Sequence, residues 1–443
     1  MSKVTKQSHE NIDASATRKN KLITKVVRHP AVLAGVLVVV AIATLVAVNA
    51  ATVRKSVRFG LGGGSLTGTA TSQPDGSVAF ASGGGGTVAS GKFYVVGKQI
   101  IDPDGNIFRP MGANVAVRQA PYLEKNFVFN YFGTANGKSE EVKAWGWNTI
   151  RVNVACNITS NPSVSETLAG LDELIKEYTA KKLVVMIDCH DGNITVKDVN
   201  YDNPSVQSAM NFFDTLAKAY KNNPYVWFNT VNEPWGSSNI PQWSDLQNKL
   251  YARIRANAPD NIFVADLSGG GNAIENLVDG NLHGTYGAGK CNLVYGWHSY
   301  GFINGFADDA KHKDYINRLS AMNIPMVVGE LGDPLNEFGQ PLTALGYPGV
   351  AGNPTQNRIG ANAVISYAAP AGYGLLWWHA TGDTNSSITY SLTTRKIAPW
   401  LVNSSNLNEL SATGRRYWDV SHQNHILGKF TGSLKNSNCA SAP

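Results

Sequence analysis

The sequence predicts an α/β protein whose main domain is a (β/α)8 barrel of the TIM type. Buried runs of β-branched and aromatic residues alternate with amphipathic helical segments, and the runs recur about every 38 residues, as expected for βα units. Eight strands separated by helices close into a barrel without the two uncovered edges of an open sheet. The predicted strands are centred on Met111 or span residues 147–154, 182–190, 225–233, 261–268, 292–300, 324–330 and 374–380.

Two of the helical segments show the apolar face that a barrel helix needs. In residues 163–182 and 206–223, apolar side chains recur at helical spacing on one side. These side chains are Leu168, Leu171, Leu174, Ile175 and Tyr178 in the first segment, and Met210, Phe213, Leu216 and Tyr220 in the second.

The basic charge of the chain lies in its first 58 residues. They hold ten Lys and Arg against two acidic residues, about +8, while the whole chain carries +6. The rest therefore sums to about −2, and nothing in it suggests a nucleic-acid partner.

Residues 31–51 form an uncharged apolar run of 21 residues, about 31 Å long as a helix, which matches the ~30 Å hydrocarbon thickness of a membrane. We predict a signal anchor, with a basic cytoplasmic segment at 1–30, a single transmembrane helix at 31–51 in the cell membrane, and the remaining chain outside the cytoplasm. The alternative is a signal peptide cleaved near Ala50, where small residues suit a peptidase. The long apolar run and the long charged leader favour the anchor.

Residues 52–91 are rich in Gly, Ser and Thr and predict a flexible linker, because this composition buries too little apolar surface to offset ordering. The main domain then spans 92–443. It opens with KFYVVGKQIIDPDGNIFRPMGANV, in which Gly97 and the Asp104-Gly105 pair predict an N-terminal β-hairpin.

The stretch YVWFNTVNEPW, residues 225–235, predicts a catalytic carboxylate. An apolar run that breaks into Asn-Glu-Pro is typical of a buried parallel strand that ends at its C-terminal rim. Pro234 has no N–H to give to a neighbouring strand, and we expect it to hold Glu233 extended and aimed out of the sheet. Beside the amide of Asn232, such a carboxylate suits a general acid. The alternative is a loop glutamate after a core strand.

Polar and aromatic side chains end nearly every predicted strand, and a barrel brings these ends together at one mouth. They are Asn114, Arg151, His190, Asn232 with Glu233, His298 with Tyr300, Glu330, and Trp377 with Trp378. Glu233 and Glu330, 97 residues apart, end the fourth and seventh strands and face each other across the mouth. Such a pair suits glycoside hydrolysis, in which one carboxylate attacks the anomeric carbon and the other protonates the leaving oxygen.

We expect the two carboxylates to differ in ionisation. Arg151 and Tyr300 at neighbouring positions would keep Glu330 ionised as the nucleophile. Aromatic surroundings that include Trp235 would raise the pKa of Glu233, which would then act as the acid/base.

Several separate motifs resemble glycoside hydrolase family 5, the cellulase family within the clan A retaining glycosidases. Similar to the family, in order and spacing over about residues 92–420, are WGWNTIRVNV, the run ending IDCH, VNEP, WHSY and VVGELG. The resemblance implies retention of configuration, with Glu233 and Glu330 catalytic. The substrate-binding roles that it implies are Asn232 on the sugar 2-hydroxyl, Arg151 and Tyr300 on the nucleophile, His190 and His298 around the cleavage site, and Trp378 as the floor of the sugar site.

The chain departs from the family pattern in three places. The third strand is followed by CHDGN, where a cellulase often has a tryptophan before the histidine. His379 has no assigned role, and residues 336–356 form a long insertion near the cleft that could narrow or lengthen it.

Several candidates also have purely structural interpretations. Arg151 could tie strands together inside the barrel, and His190 and Trp378 could belong to the core. Three further tryptophans could line sugar subsites or fill loops, and we leave both interpretations open. They are Trp235, Trp243 and Trp297.

The four cysteines show no CxxC or Cys/His metal spacing, so we expect no metal site. They are Cys156, Cys189, Cys291 and Cys439. An exported domain could oxidise them, but the sequence leaves their pairing open. No Gly-rich phosphate loop follows a strand, so we expect no cofactor.

The predicted function is endo-acting cleavage of β-1,4-glucan by double displacement. The partner is a β-linked polysaccharide or oligosaccharide, and we expect a monomeric catalytic domain. A β-mannanase is the main alternative, because family members share the catalytic set and differ at the sugar 2-position. A non-catalytic carbohydrate-binding barrel is the other alternative, although it would have no need for two opposed carboxylates.

Overall fold

A computed structural model gives the structure of the chain. It describes residues 70–72, 78–80, 90–118, 138–154, 156, 164–190, 200–234, 240–300, 308–333, 354–378, 410, 412–422 and 426–442. The predicted segments 1–30 and 31–51, most of 52–91, Trp235, His379 and residues 336–353 lie outside the described residues. Within the part of the chain that is described, no helix has both the length and the apolar character needed to cross a membrane.

The chain divides into two compact units, Met1–Ala81 and Ser82–Pro443. In the first unit, the strands β1 (Ala70–Ser72) and β2 (Val78–Phe80) pair antiparallel. The composition of this linker predicts no regular structure. The residues between the two strands, QPDGS, combine Pro with Asp-Gly, which is typical of a tight turn and favours such a pairing.

The second unit opens with three short strands where the sequence analysis expects a single hairpin. They are β3 (Tyr94–Val96), β4 (Gln99–Ile101) and β5 (Asn106–Phe108), and each pairs antiparallel with the next. Gly97 forms the first turn with a φ of +56°, and the Asn323 side chain fills the space where a Cβ would stand. Glycine is therefore required there.

A closed barrel of parallel strands follows, as predicted. Its last strand pairs with its first through Leu375 and Met111. The fourth strand is shorter than predicted and ends at Asn229, so that Glu233 lies on the loop beyond it. The barrel strands are β6 (Met111–Arg118), β7 (Thr149–Val154), β8 (Val184–Cys189), β9 (Val226–Asn229), β10 (Phe263–Asp266), β11 (Leu293–His298), β12 (Met326–Leu331) and β13 (Gly374–Trp377).

Apolar side chains fill the amino-terminal half of the barrel interior. Trp227 of β9 packs edge to face on Phe93, with ring centroids 5.2 Å apart, and Phe108 of β5 packs on the same indole. The strand residues of this cluster include Val184, Met186, Val264, Val294, Val327 and Leu376. This end of the barrel is therefore filled by apolar side chains, and the polar residues of the strands lie at the opposite, carboxyl end.

Helices surround the barrel and bury their apolar faces against it. They are α1 (Lys138–Ala144), α2 (Val164–Ala180), α3 (Pro204–Tyr220), α4 (Ile240–Asn257), α5 (Glu275–Val278), α6 (Asp309–Ala321), α7 (Pro354–Ala363) and α8 (Ala412–His422). The two apolar faces named from the sequence lie on α2 and α3, where Leu171 and Phe213 are fully buried. Helix α3 begins at Pro204 and is capped by the Asn203 side chain, which accepts the N–H of Ser205 at 2.8 Å.

The C-terminal segment returns to the start of the unit. Strand β14 (Ile426–Lys429) pairs antiparallel with β5 and completes a four-stranded sheet. A disulfide joins Cys291, just before β11, to Cys439. The Tyr94 hydroxyl also donates to the carbonyl oxygen of Ser441 at 3.0 Å, so the chain end is bound to the first strand of this unit.

Candidate active site

The carboxyl ends of the barrel strands bring seven of the predicted residues into one hydrogen-bonded cluster. They are Asn114, Arg151, Asn232, Glu233, His298, Tyr300 and Glu330. His190 and Trp378 lie beside this cluster, and His190 Nε2 is 3.5 Å from Nδ2 of Asn232.

Arg151, on β7, is the fully buried centre of the cluster. Its Nη1 lies 2.8 Å from Glu330 Oε1, and its Nη2 lies 3.1 Å from Asp188 Oδ1 and 3.2 Å from Asp266 Oδ2. Its remaining hydrogen bonds go to the amide oxygens of Asn114, Asn229 and Asn232. Burial acts to lower the pKa of Arg151, but the three carboxylates outweigh it and raise that pKa, so the guanidinium stays charged.

Glu330, on β12, receives a hydrogen bond on each carboxylate oxygen. Arg151 donates to Oε1 at 2.8 Å, and the Tyr300 hydroxyl donates to Oε2 at 3.0 Å. The side chain is only 4% exposed. Burial raises the pKa of Glu330 and the Glu233 carboxylate adds to it, which outweighs the lowering by His298 and Arg151.

Glu233 has a strained backbone, and the extended conformation predicted for it is wrong. Its φ is +46°, in the left-handed region, although a residue before proline prefers an extended backbone. Such strain costs about 1–3 kcal/mol and persists only when the surroundings enforce it. Two contacts do so: the Glu233 N–H donates to Asp266 Oδ2 at 3.3 Å, and His298 Nδ1 lies 2.7 Å from Glu233 Oε1. Trp235, the aromatic neighbour expected here, lies outside the described residues.

The two predicted catalytic carboxylates lie close together. One carboxylate oxygen of Glu233 and one of Glu330 are within 4.8 Å of each other and of a ring nitrogen of His298. Retaining glycosidases hold their carboxyl groups about 5–5.5 Å apart, and inverting ones about 6.5–9.5 Å apart. The two carboxylates are therefore close enough to act on one bond.

His298, at the end of β11, is fully buried and faces carboxylates on both ring nitrogens. Nδ1 contacts Glu233 and is 3.5 Å from Glu330 Oε1, while Nε2 lies 3.3 Å from Asp266 Oδ2. Burial acts to lower the pKa of His298, but the surrounding carboxylates outweigh it and raise that pKa to about 10. The ring is therefore an imidazolium at neutral pH.

His190 and Trp378 stack on each other at the edge of the cluster. Their ring centroids are 5.1 Å apart with planes at 23°, and Trp378 also packs against Tyr300. His190 Nδ1 lies 2.8 Å from Asp188 Oδ2, which sets the orientation of the ring. Trp378 does not belong to the main apolar core and forms a small separate cluster with Tyr300.

Three other tryptophans named from the sequence pack away from the cluster. Trp377, predicted at the mouth, is fully buried and packs on Tyr417 of α8 at 5.3 Å, because it points outward from its strand while Trp378 comes after the strand ends. Two tryptophans left open from the sequence are also core residues with at most 1% exposure. They are Trp243 and Trp297.

The disulfides pair Cys156 with Cys189 and Cys291 with Cys439. The first lies beside the site, because Cys189 ends β8 directly before His190 and its carbonyl oxygen accepts the N–H of Asn232 at 3.1 Å.

Among the described residues, one group of side chains is close enough to hold a metal ion. It consists of Glu233, His298 and Glu330.

Two buried carboxylates of the site are absent from the sequence analysis. Asp188 holds His190, and Asp266 holds Arg151, His298 and the backbone of Glu233. Both lie at the carboxyl end of their strands, at Asp188 of β8 and at the last residue of β10. The predicted fifth strand, residues 261–268, runs past Asp266, so the rule that strand ends line the mouth did not select this residue.

The chain resembles known proteins in sequence and in fold. The sequence model of the cellulase family, glycosyl hydrolase family 5, matches residues 110–383. A mannan endo-1,4-beta-mannosidase of Cellvibrio japonicus is 23% identical over 360 residues, which are 80% of this chain and 74% of the relative. The solved structure of a beta-mannanase from Thermomonospora fusca has a TM-score of 0.51 at 18% identity, covering 73% of this chain and 93% of that chain. An endoglucanase catalytic domain of Thermobifida fusca also has a TM-score of 0.51 at 18% identity, covering 76% of this chain and 100% of that chain.

The structural likenesses support the barrel fold, while the family match covers more than half of the chain and includes every residue of the cluster. The chain belongs to glycosyl hydrolase family 5.

Proposed function

We propose that this chain is a retaining, endo-acting glycoside hydrolase that cleaves β-1,4-linked mannan by double displacement. Glu330 is the nucleophile, and Glu233 is the acid/base. The observation that carries the proposal is the approach of the two carboxylates to within 4.8 Å. That separation is close to the retaining geometry of about 5–5.5 Å.

The different surroundings of the two carboxylates support this division of roles. Glu330 is buried and held by donors on both oxygens, which suits a group that must present a fixed oxygen to the anomeric carbon. The Glu233 side chain is 28% exposed, so a leaving oxygen and, later, a water molecule can reach it. A group that first gives a proton and then takes one needs that access.

In the first step, a carboxylate oxygen of Glu330 bonds to the anomeric carbon while the bond to the leaving oxygen breaks and Glu233 gives that oxygen its proton. In the second step, Glu233 takes a proton from water, whose oxygen bonds to the anomeric carbon and releases Glu330. The Arg151 guanidinium and the Tyr300 hydroxyl neutralise and hold Glu330 when its charge returns.

Mannan is the first candidate substrate because the relative from Cellvibrio japonicus, with 74% of its length covered, is named a mannan endo-1,4-beta-mannosidase. β-1,4-Glucan, which the sequence analysis favours, is the second, supported by the match to the cellulase family. The two sugars differ at the 2-position. We propose that Asn232 discriminates there. Its Oδ1 is bound to Arg151, while its Nδ2 makes only a long contact with His190 among the described residues, which supports this role.

The test is reducing-sugar release by the purified protein from soluble mannan, β-1,4-glucan and xylan. We expect mannan to be cut fastest and to give a mixture of oligosaccharides, as endo action requires. Glucan cut faster than mannan would favour the second candidate. Binding without any product on all three would support a carbohydrate-binding barrel instead.

The roles are tested by azide rescue of two alanine variants on an activated aryl glycoside. Glu233→Ala should form the glycosyl-enzyme and then yield a β-glycosyl azide, whereas Glu330→Ala should yield the α-glycosyl azide. Glu173→Gln, an exposed helix position, is the control and should behave as the unmodified protein. The opposite pairing of products would reverse the roles. An inverted first product from the unmodified protein would exclude the retaining mechanism.

A further inference from the structure

Asp266 is a buried carboxylate to which neither the sequence motifs nor the family resemblance gives a role. It ends β10 and is 1% exposed, so a substrate cannot reach it. Its Oδ2 lies 3.2 Å from Arg151 Nη2 and 3.3 Å from His298 Nε2, and it accepts the backbone N–H of Glu233 at 3.3 Å. Its Oδ1 accepts Nδ2 of Asn229 at 3.0 Å.

His298 connects Asp266 to the proposed acid/base. Its Nδ1 is 2.7 Å from Glu233 Oε1, and its Nε2 is 3.3 Å from Asp266 Oδ2. A neutral imidazole carries a proton on only one nitrogen, so the other would turn a lone pair toward a carboxylate. Only the doubly protonated ring directs a hydrogen from Nδ1 to Glu233 and also carries the positive charge that forms an ion pair with Asp266 at Nε2, where the geometry is not that of a hydrogen bond.

The imidazole is also fixed in place by its surroundings. A Cβ on Gly271 would come within 2.7 Å of the ring, and a Cβ on Gly329 would come within 3.1 Å of Nε2, so backbone packs closely around the ring. The His298 N–H donates to the Gly271 carbonyl at 2.8 Å, and the Asn272 amide donates to the His298 carbonyl at 2.8 Å. The ring therefore cannot turn away from the two carboxylates without moving the backbone.

We propose that Asp266 is a positioning residue that acts through His298 on Glu233. It keeps His298 doubly protonated, so that the Nδ1–H is directed to Glu233, and it holds the Glu233 backbone in its left-handed conformation. The inference rests on the proposed function, because it concerns the acid/base of that reaction. Asp266 itself touches no substrate atom.

The charges around His298 determine the direction in which the pH profile of the rate should move when Asp266 is replaced. The ionisable groups that face it are Glu233, Asp266 and Glu330, and Arg151 contacts the last two. Removing the negative charge of Asp266 weakens proton binding by every group near it. The site should then lose its catalytic proton at lower pH, and the basic limb of the rate profile should move down.

The test compares Asp266→Asn with Asp188→Asn. Both variants remove a fully buried carboxylate that is ion-paired with Arg151, at 3.2 Å and 3.1 Å, but Asp188 contacts His190 and not His298. Each is assayed on an oligosaccharide, whose leaving oxygen needs a proton, and on a 2,4-dinitrophenyl glycoside, whose leaving group does not.

For Asp266→Asn we expect the rate on the oligosaccharide to fall about 10- to 100-fold, and the rate of bond cleavage on the activated glycoside to fall less than about threefold. The basic limb of its rate profile should move down by about one pH unit. Asp188→Asn should slow both substrates by similar factors and leave the basic limb in place. Asp266→Glu, which keeps the charge, should recover part of the oligosaccharide activity and return the basic limb toward its original position.

Equal losses on both substrates with an unmoved basic limb would show that Asp266 is only structural and would overturn the proposal. If Asp266→Asn does not fold, ¹⁵N NMR of the unmodified protein decides: a neutral His298 at pH 8 would overturn the proposal, and an imidazolium would support it. Glu233→Gln, assayed in parallel, tests the proposed function separately. If that variant lacks the same dependence on the leaving group, the assignment of Glu233 fails, whatever Asp266 does.

Discussion

Arg151 Nη1 donates a hydrogen bond to Glu330 Oε1 at 2.8 Å, and both side chains are buried. Removing one partner of a buried ion pair costs about 3–5 kcal/mol, because the other charges are left without compensation. We therefore expect Arg151→Met to destabilise the protein by this amount in a denaturant titration and to abolish activity. Arg151→Lys keeps the charge but cannot reach all of its partners, so it should fold better than Arg151→Met and remain nearly inactive.

The control for Arg151 is Arg415→Met, which removes an exposed arginine that lies 3.4 Å from Asp419 on the same helix. Exposed pairs contribute about 0–1 kcal/mol, so this variant should match the unmodified protein. An active, stable Arg151→Met would contradict the central position of Arg151 in the site.

Tyr300 donates a hydrogen bond to Oε2 of Glu330 at 3.0 Å. A hydrogen bond to a charged group contributes about 1.5–3 kcal/mol, so Tyr300→Phe should lower kcat by about tenfold or more with little change in KM. The lost donor stabilised the ionised form of Glu330, so its pKa should rise and the acid limb of kcat/KM should move to higher pH. A profile with an unmoved acid limb would show that Tyr300 does not act on the nucleophile.

Much of this site could be predicted because strand ends in a barrel are signalled locally. The run Leu183 to Ile187 is uninterrupted and apolar, and His190, which follows the end of its strand, does lie at the mouth. The same reasoning located Glu330 and His298. It did not locate Asp188, because the function of an acidic residue inside an apolar strand depends on the side chains of neighbouring strands.

Other features depend on contacts that no local pattern records. The left-handed backbone of Glu233 opposes the preference that Pro234 imposes, and it exists because Asp266 and His298, from two other strands, hold that loop. Strand β14 likewise joins β5 across more than 300 residues of chain. The raised pKa of Glu330 could not be predicted either, because it depends on how deeply the folded chain buries that side chain.

Trp378 and Trp377 are neighbours in sequence with different surroundings, which allows a matched test. Trp378 packs against Tyr300 and His190 at the site, so Trp378→Ala should raise KM for oligosaccharides by about tenfold, the loss of roughly 1.4 kcal/mol of contact. Trp377 packs in the core, so Trp377→Ala should instead cost about 3–5 kcal/mol of stability. An unchanged KM for Trp378→Ala would show that Trp378 has only a structural role.

His298 makes stability depend on pH above neutrality. Its pKa is raised from 6.5 to about 10, so its contribution to stability is fully present below pH 6.5 and is lost as the pH rises toward 10. Burial lowers the pKa of His283, so the contribution of that residue is instead lost as the pH falls below 6.5. We expect Tm to fall between pH 7 and about 9.5 by calorimetry. His298→Gln should flatten this fall, while His283→Gln should preserve it; a Tm that rises over this range would contradict the raised pKa.

The two disulfides should differ in their effects on stability and on activity. In the chain-entropy account, a disulfide stabilises more when it closes a longer loop. The separations of 33 and 148 residues correspond to about 4 kcal/mol for Cys156–Cys189 and about 5 kcal/mol for Cys291–Cys439. Replacing both cysteines of a pair by serine should therefore destabilise the protein more at Cys291–Cys439.

Activity should follow the opposite order, because only one disulfide lies beside the site. Cys189 precedes His190 and its carbonyl oxygen accepts the N–H of Asn232, so the Cys156–Cys189 bond restrains two residues of the candidate site. The Cys291–Cys439 bond lies at the amino-terminal end of β11 and binds the chain end. At a temperature where all variants are folded, we expect Cys156→Ser/Cys189→Ser to lose kcat/KM while Cys291→Ser/Cys439→Ser keeps it. Equal kcat/KM for the two double variants would show that the mouth of the barrel holds its shape without the first disulfide.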